Sequence, residues 1–242
     1  MRPERAFYDL QVRFAHAAAR LSGMPLAAAL LDCTNLYVRF GAGRDFDAAN
    51  PLWQAYLVGL DEHASLADHC EWTWRYVQRC PVHQAAPQVE ATFGCFSYAR
   101  EPHGGVRLHF NAHTDDGASP LDSTHANARR NELRLLVHHL HHQGGAPDDL
   151  LVQGTSWLYN LPAYRRIFPA IYVASAEPVA RLRALSLWGQ FLDRHGRVRG
   201  QTATTFIEQA EGEHTFARLG RCFPLQALAV RAPLSAFRVF LN

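Results

Sequence analysis

Apolar residues recur at three- and four-residue steps near the start of the chain. Phe7, Leu10, Phe14, Ala17 and Leu21 share one stripe, so residues 4–22 are expected to form an amphipathic helix ended near Gly23-Met24-Pro25. The pattern then becomes continuous: "PLAAALLDCTNLYVRF" (25–40) is apolar, turns β-rich and stops at "GAG", which reads as a buried strand. Pro51 opens a short helix through Leu60. Residues 62–80 follow as a longer one, with Leu66, Cys70, Thr73 and Val77 aligned.

From residue 90 the period changes. "EATFGCFSYA" (90–99) and "GGVRLHF" (104–110) alternate like strands around a turn at "EPHGG". Helical spacing returns over 123–143, where Leu133, Leu136, Val137 and Leu140 share a face, Asp122 or Ser123 can cap the start and Gly144-Gly145 end it. "LLVQGTSWLYN" (150–160) reads as a strand and "LPAYRRIF" (161–168) as a short helix. Beyond lie an extended stretch near 170–174, a strand at 187–193, a helix at about 201–210 and a strand pair at 225–231 and 236–241. No repeat or low-complexity linker interrupts the chain. The expectation is one α/β or α+β domain over 1–242, with 1–80 a largely helical part and 90–242 a mixed-sheet core built on strand–helix–strand.

Composition narrows the class. The chain has 242 residues, 48% hydrophobic and 19% charged, enough to bury a substantial core. No apolar run has the length of a membrane helix, and Glu4 and Asp9 stand where an export signal would be basic then apolar, so no membrane partner is expected. Five cysteines, never spaced C-x-x-C, suggest neither a disulfide framework nor a structural zinc site and fit a reducing cytoplasm. A net charge of +2, without a basic stripe, argues against nucleic acid. The sequence contains no lysine, which excludes Schiff-base, pyridoxal-phosphate and Walker A chemistry.

Three stretches carry candidate chemistry. "FNAHTDDGASPL" (110–121) holds His113 and Asp115, two thirds of an iron-binding facial triad, with Asp116 alongside. "VHHLHH" sets His138 and His142 one helical turn apart, yet by phase they point away from the apolar face and belong to a solvated surface. The Arg-His-Gly string in "DRHGRVRG" (193–200), which opens the site of histidine phosphatases, is better read as a turn around His195. No metal site is assigned.

Position points elsewhere. If strands 105–110 and 150–157 are joined by the helix 123–143, the crossover should be right-handed and the strands parallel, so both carboxyl ends share an edge. Loop 111–122 then lies beside Tyr159, Asn160 and the helix 161–168, where open sheets hold ligands.

The order strand, long helix, strand, "NLPAYRRIF" resembles the core of the GNAT-type acyltransferase superfamily over about residues 90–175, and "SPL" followed by a helix and "SWLYN" is similar to an acyltransferase-like domain carrying S-P-L and S-W-L-L. The resemblance implies an acyl-coenzyme A thioester wedged between splayed strands. Tyr164 matches the helix tyrosine that protonates the leaving thiolate; His113 or Asp115 is a candidate base, and Asn160, Tyr159, Trp157 and Arg130 are candidate binding residues. The family's glycine-rich pyrophosphate loop is missing: "DDGASPLDS" is acidic and has one glycine. Arg129, Arg130 and Arg134 either supply the positive charge this loop lacks or pair with Asp115, Asp116, Asp122 or Glu132. The function expected is transfer of an acyl group from a thioester to a small amine or hydroxyl acceptor. Two alternatives stay open: a metal-dependent oxygenase or hydrolase using His113 and Asp115, and a non-catalytic protein that receives a partner on an aromatic surface of Trp157, Tyr159 and Tyr172.

Overall fold

The structure is a computed structural model that describes residues 2–81, 89–102, 104–111, 119–142, 147–183, 185–193 and 195–241. The backbone divides into two compact units, Met1–Ala86 with Ala180–Gln226, and Pro87–Val179 with Ala227–Asn242.

The chain begins with α1 (Arg5–Ser22), α2 (Leu26–Cys33), α3 (Leu36–Arg39), α4 (Pro51–Asp61) and α5 (Leu66–Arg79). Strands β1 (Ala91–Phe93), β2 (Phe96–Arg100) and β3 (Val106–Phe110) lead into a 3-10 turn at Ser123–His125 and the long helix α6 (Ala126–His142). Strand β4 (Leu151–Ser156) is followed by a 3-10 turn at Trp157–Asn160, α7 (Pro162–Arg165), α8 (Ala170–Ala174) and the short β5 (Glu177–Pro178). The chain returns to the first unit with α9 (Leu185–Trp188) and α10 (Gly200–Gly212), then re-enters the second with β6 (Leu228–Pro233) and α11 (Leu234–Leu241). Among the described residues no single helix is long and apolar enough to cross a membrane.

The helical unit forms where the 3.6-residue stripe is clear. Phe7, Leu10, Phe14, Ala17 and Ala18 of α1 are buried, and Gly23, at φ 74°, ends the helix by donating its N–H to the Ala19 carbonyl. Phe14 stacks on Phe206 of α10 at 5.1 Å between centroids and meets Trp188 edge-on at 5.4 Å. Asn50 caps α4 by accepting from Leu52 N and Trp53 N, with Pro51 at the first helical position. Gly59 admits α5: a Cβ there would lie 2.2 Å from the Trp72 ring, whose Nε1 donates to the Tyr56 carbonyl at 3.0 Å.

The sheet has the order β1-β2-β3-β4-β6-β5. Every neighbouring pair is antiparallel except β3 and β4, which are parallel and joined through α6. The mixed α/β class and the strand–helix–strand core are therefore observed. The apolar face of α6, Leu133, Leu136, Val137 and Leu140, is buried in one core with Phe96, Tyr98, Val106, Leu108 and Val152 of the sheet.

Five segments depart from the sequence pattern. Residues 25–40 form α2 and α3 instead of a strand, because the Ala- and Leu-rich run has high helix propensity and a short all-apolar stretch carries no period to oppose it. Residues 170–174 are α8 and not extended: Pro169 starts the turn, and the adjacent Tyr172 and Val173 both face inward. Residues 187–193 contain the end of α9 and a 3-10 turn in place of a strand. Residues 236–241 belong to α11, where Leu234 and Phe237, three apart, are buried while the strand-like Val239 points to solvent. The run 150–160 is a strand only to Ser156.

Candidate functional site at the parallel strand pair

The β3·β4 ladder runs Val106↔Val152, Arg107↔Gln153, Leu108↔Gly154 and ends there. Beyond it each strand stays with its outer neighbour, β3 through Phe96↔Phe110 and β4 through Thr155↔Ala229 and Ser156↔Leu228. Past Leu108↔Gly154 the two strands of the parallel pair are no longer paired with each other. Because the strands are parallel, the segments that follow both leave from this edge. His113, Asp115 and Asp116 lie outside the described residues; Asn111, just before them, donates its N–H to the Cys95 carbonyl at 2.8 Å.

Aromatic rings fill the edge. Phe110, the last residue of β3, meets Tyr164 of α7 edge-on at 5.1 Å, a contact that spans the two strand ends. Tyr164 in turn packs on Tyr159 at 5.0 Å and Phe168 at 4.9 Å, and Tyr159 and Tyr172 bring their hydroxyls to 3.0 Å. That hydroxyl pair occupies the space over Gly154: a Cβ there would lie 2.1 Å from the Tyr159 oxygen and 2.5 Å from the Tyr172 oxygen. Burial holds all three phenols protonated, pushing Tyr159, Tyr164 and Tyr172 well above the ordinary tyrosine range, with the neighbouring hydroxyls adding to the effect on Tyr159 and Tyr164.

The remaining candidates are placed as follows. Asn160 donates from Nδ2 to the Trp157 carbonyl at 2.7 Å and closes the 3-10 turn after β4, which Ser156 caps by accepting from Leu158 N. Trp157 is half-buried. Tyr159 and Tyr172 are 3% and 0% exposed, so the aromatic surface expected from them with Trp157 does not form: their hydroxyls satisfy each other and the rings enter the core.

At the start of α6, neighbouring arginines take opposite roles. Arg129 is buried and pairs with Glu132 at 2.5 Å; the same guanidinium donates to Cys95 Sγ, and Glu132 accepts the Cys95 N–H at 3.0 Å. Burial pushes the Cys95 thiol up, while the Arg129 charge works in the other direction. Arg130 is exposed. With Arg165 of α7 and Arg166 just after it, Arg130 rims an open pocket of about 440 Å³ floored by Phe168, Val173 and Phe240. Arg130 donates to the Arg166 carbonyl at 3.1 Å and lies over the Phe240 ring at 5.5 Å, and Arg166 donates to the Leu121 carbonyl at 3.1 Å. None of the three forms an ion pair with a carboxylate among the described residues. Arg165 and Arg166 were legible only as a pair of charges in "AYRRIF"; their meeting with Arg130 and Phe240 is a product of the fold.

Two histidine motifs have the structural character read from them. The rings of His138 and His142 lie 4.1 Å apart, tilted by 38°, on the solvent side of α6. His195 sits in a turn whose backbone is tied to Asp193, with Leu192 bridged to Val198. No group of three or more His, Cys, Asp or Glu side chains among the described residues forms a metal-binding cluster. Compared with protein-family models, curated proteins and solved structures, the chain matches none.

Proposed function

We propose that the sheet unit is acyltransferase-like and transfers an acyl group from a thioester to a small amine or hydroxyl acceptor. The observation that carries this reading is that the pairing of β3 with β4 ends after Leu108↔Gly154. One parallel pair set among antiparallel strands, unpaired at its carboxyl end and filled there by aromatic rings, is the place where the GNAT resemblance would have a thioester wedged.

In this reading the thioester arm displaces Phe110 from the face of Tyr164. The acceptor nitrogen or oxygen attacks the thioester carbonyl and gives its proton to a base, for which His113 and Asp115 are the candidates. The sulfur leaves with the electron pair of the broken C–S bond and takes the Tyr164 proton. Burial holds Tyr164 in its protonated form. Asn160 orders the turn that presents α7, and Arg130 contributes to holding the far end of the donor.

The test is release of free thiol from a panel of thioesters, including N-acetylcysteamine forms that carry only the reactive end, with amine and hydroxyl acceptors. Acceptor-dependent release, with Tyr164→Phe lowering kcat more than tenfold, supports the reading. No release from any thioester, or unchanged kcat in the variant, removes the reaction or the tyrosine respectively.

A further inference from the structure

We propose that the pocket rimmed by Arg130, Arg165 and Arg166 docks an acidic helix of a carrier protein that presents the acyl group as a thioester. The inference rests on the acyl-transfer reading and adds the nature of the donor.

The three guanidinium groups are exposed and lack carboxylate partners among the described residues. Each offers five N–H donors, of which one on Arg130 and one on Arg166 are taken by backbone carbonyls. The pocket they rim is otherwise lined by apolar side chains, Phe168, Ala170, Val173, Ala174 and Phe240, of which Phe240 is 37% exposed. Separated cations among apolar side chains complement a helix that alternates carboxylates with apolar residues.

A nucleotide donor calls for something different. A diphosphate is held by converging backbone amides at a helix start, with no negative charge competing there. Here the segment leading into α6 is "DDGASPLDS". At its end the Asp122 carboxylate already caps the turn before the helix, accepting from Thr124 N at 3.1 Å and Thr124 Oγ1 at 3.2 Å, which holds that carboxyl below its usual range. A negative charge of this chain thus already sits at the turn that leads into α6. Tyr164 and Arg165 are consecutive on α7, so one helix serves both the strand gap and the docking pocket.

The test measures binding of two probes to the whole chain: an acidic acyl carrier protein bearing an octanoyl thioester on its phosphopantetheine arm, and octanoyl-coenzyme A. The expected result is carrier binding that weakens at least tenfold on raising salt from about 50 to about 300 mM, as contacts between opposite charges do. Arg165→Glu and Arg130→Glu should each weaken it at least tenfold at wild-type melting temperature, and coenzyme A should not displace the carrier. Coenzyme A binding that depends on Arg165, carrier binding indifferent to both variants, or no carrier binding would each overturn the inference. Thiol release from octanoyl-N-acetylcysteamine separates the two levels. Release without carrier binding removes the docking inference alone, and absence of release from every thioester removes the acyl-transfer reading beneath it.

Discussion

The hydroxyls of Tyr159 and Tyr172 meet at 3.0 Å directly over Gly154, at the last paired position of the parallel strands. Tyr159 lies in the turn after β4 and Tyr172 in α8, so the pair ties the segments that follow the strand back onto the strand itself. Two buried hydroxyls satisfying each other escape the desolvation cost that either would carry alone. The residue beneath them must have no side chain.

Gly154→Ala should therefore destabilise the protein by about 1–3 kcal/mol through overpacking. Removing both hydroxyls, as Tyr159→Phe with Tyr172→Phe, should recover much of that loss when combined with Gly154→Ala, because the nearest colliding atoms are gone. Denaturant unfolding of the four combinations checks this. Additive effects would mean that the hydroxyls and Gly154 do not share the space the structure gives them.

The same three tyrosines set an alkaline limit. Their folded pKa values are raised above the ordinary 10.0, so at these three side chains folded and unfolded chains bind protons equally below pH 10, and above it only the unfolded chain ionises there. The buried thiols of Cys33 and Cys70, raised from 9.0, begin to lower stability above about pH 9, and above about pH 10 each of these tyrosines should add a fall of up to about 1.4 kcal/mol per pH unit. Phenolate absorbance near 295 nm should rise for these groups together with unfolding. Reversible ionisation of all eight tyrosines near pH 10 with the fold intact would contradict their burial.

Much of this architecture could be read from periodicity, and the failures have a common cause. The stripe Phe7, Leu10, Phe14 and the set Leu133, Leu136, Val137, Leu140 each repeat over several turns, long enough for one face to be recognised. The parallel β3·β4 pair follows from a helix lying between two strand-like runs. Segments 170–174 and 236–241 are too short to show a period, and their Ile, Tyr, Val and Phe favour strands when tertiary context is unknown. The edge itself was locatable, since Asn160 and Tyr164 follow β4. The pocket was not: Arg130, Arg165 and Phe240 come from three helices. Nor does the sequence tell Arg129, buried against Glu132 and Cys95, from Arg130, exposed one residue later.

That buried pair gives a further prediction. Glu132 accepts the Cys95 N–H and neutralises Arg129, whose side chain is 9% exposed, and its carboxylate fills the space beside Gly94, where a Cβ would lie 2.1 Å from the Glu132 Cδ. Glu132→Ala leaves a buried cation and a turn N–H without an acceptor, and should cost about 3–5 kcal/mol. Arg129→Met with Glu132→Leu should cost less than Glu132→Ala alone, since no isolated charge remains. Chemical denaturation decides between them, and a loss below about 1 kcal/mol for Glu132→Ala would show that water reaches Arg129.

The last prediction concerns acid and the helical unit. His16 of α1 and His69 of α5 lie Nε2 to Nδ1 at 3.0 Å, and His69 Nε2 lies 3.0 Å from the His63 carbonyl. A carbonyl only accepts, so the network assigns the His69 proton to Nε2, leaving Nδ1 to accept from His16. Burial, and then the charge of His69, hold His16 below its ordinary 6.5. The unfolded chain consequently takes up the His16 proton at higher pH than the folded one, so stability is complete above pH 6.5 and is lost as pH falls through the lower folded value. Asp9, on the same helix, acts with opposite sign: burial raises its carboxyl above 3.8, which favours the fold as acid protonates it. The window that isolates the histidines is therefore about pH 7 down to pH 5. There the melting temperature should decline, and His16→Gln, whose amide can still donate to His69 Nδ1 but cannot take a proton, should decline less. Equal slopes in the two proteins would show that His16 does not couple acid to the packing of α1 on α5.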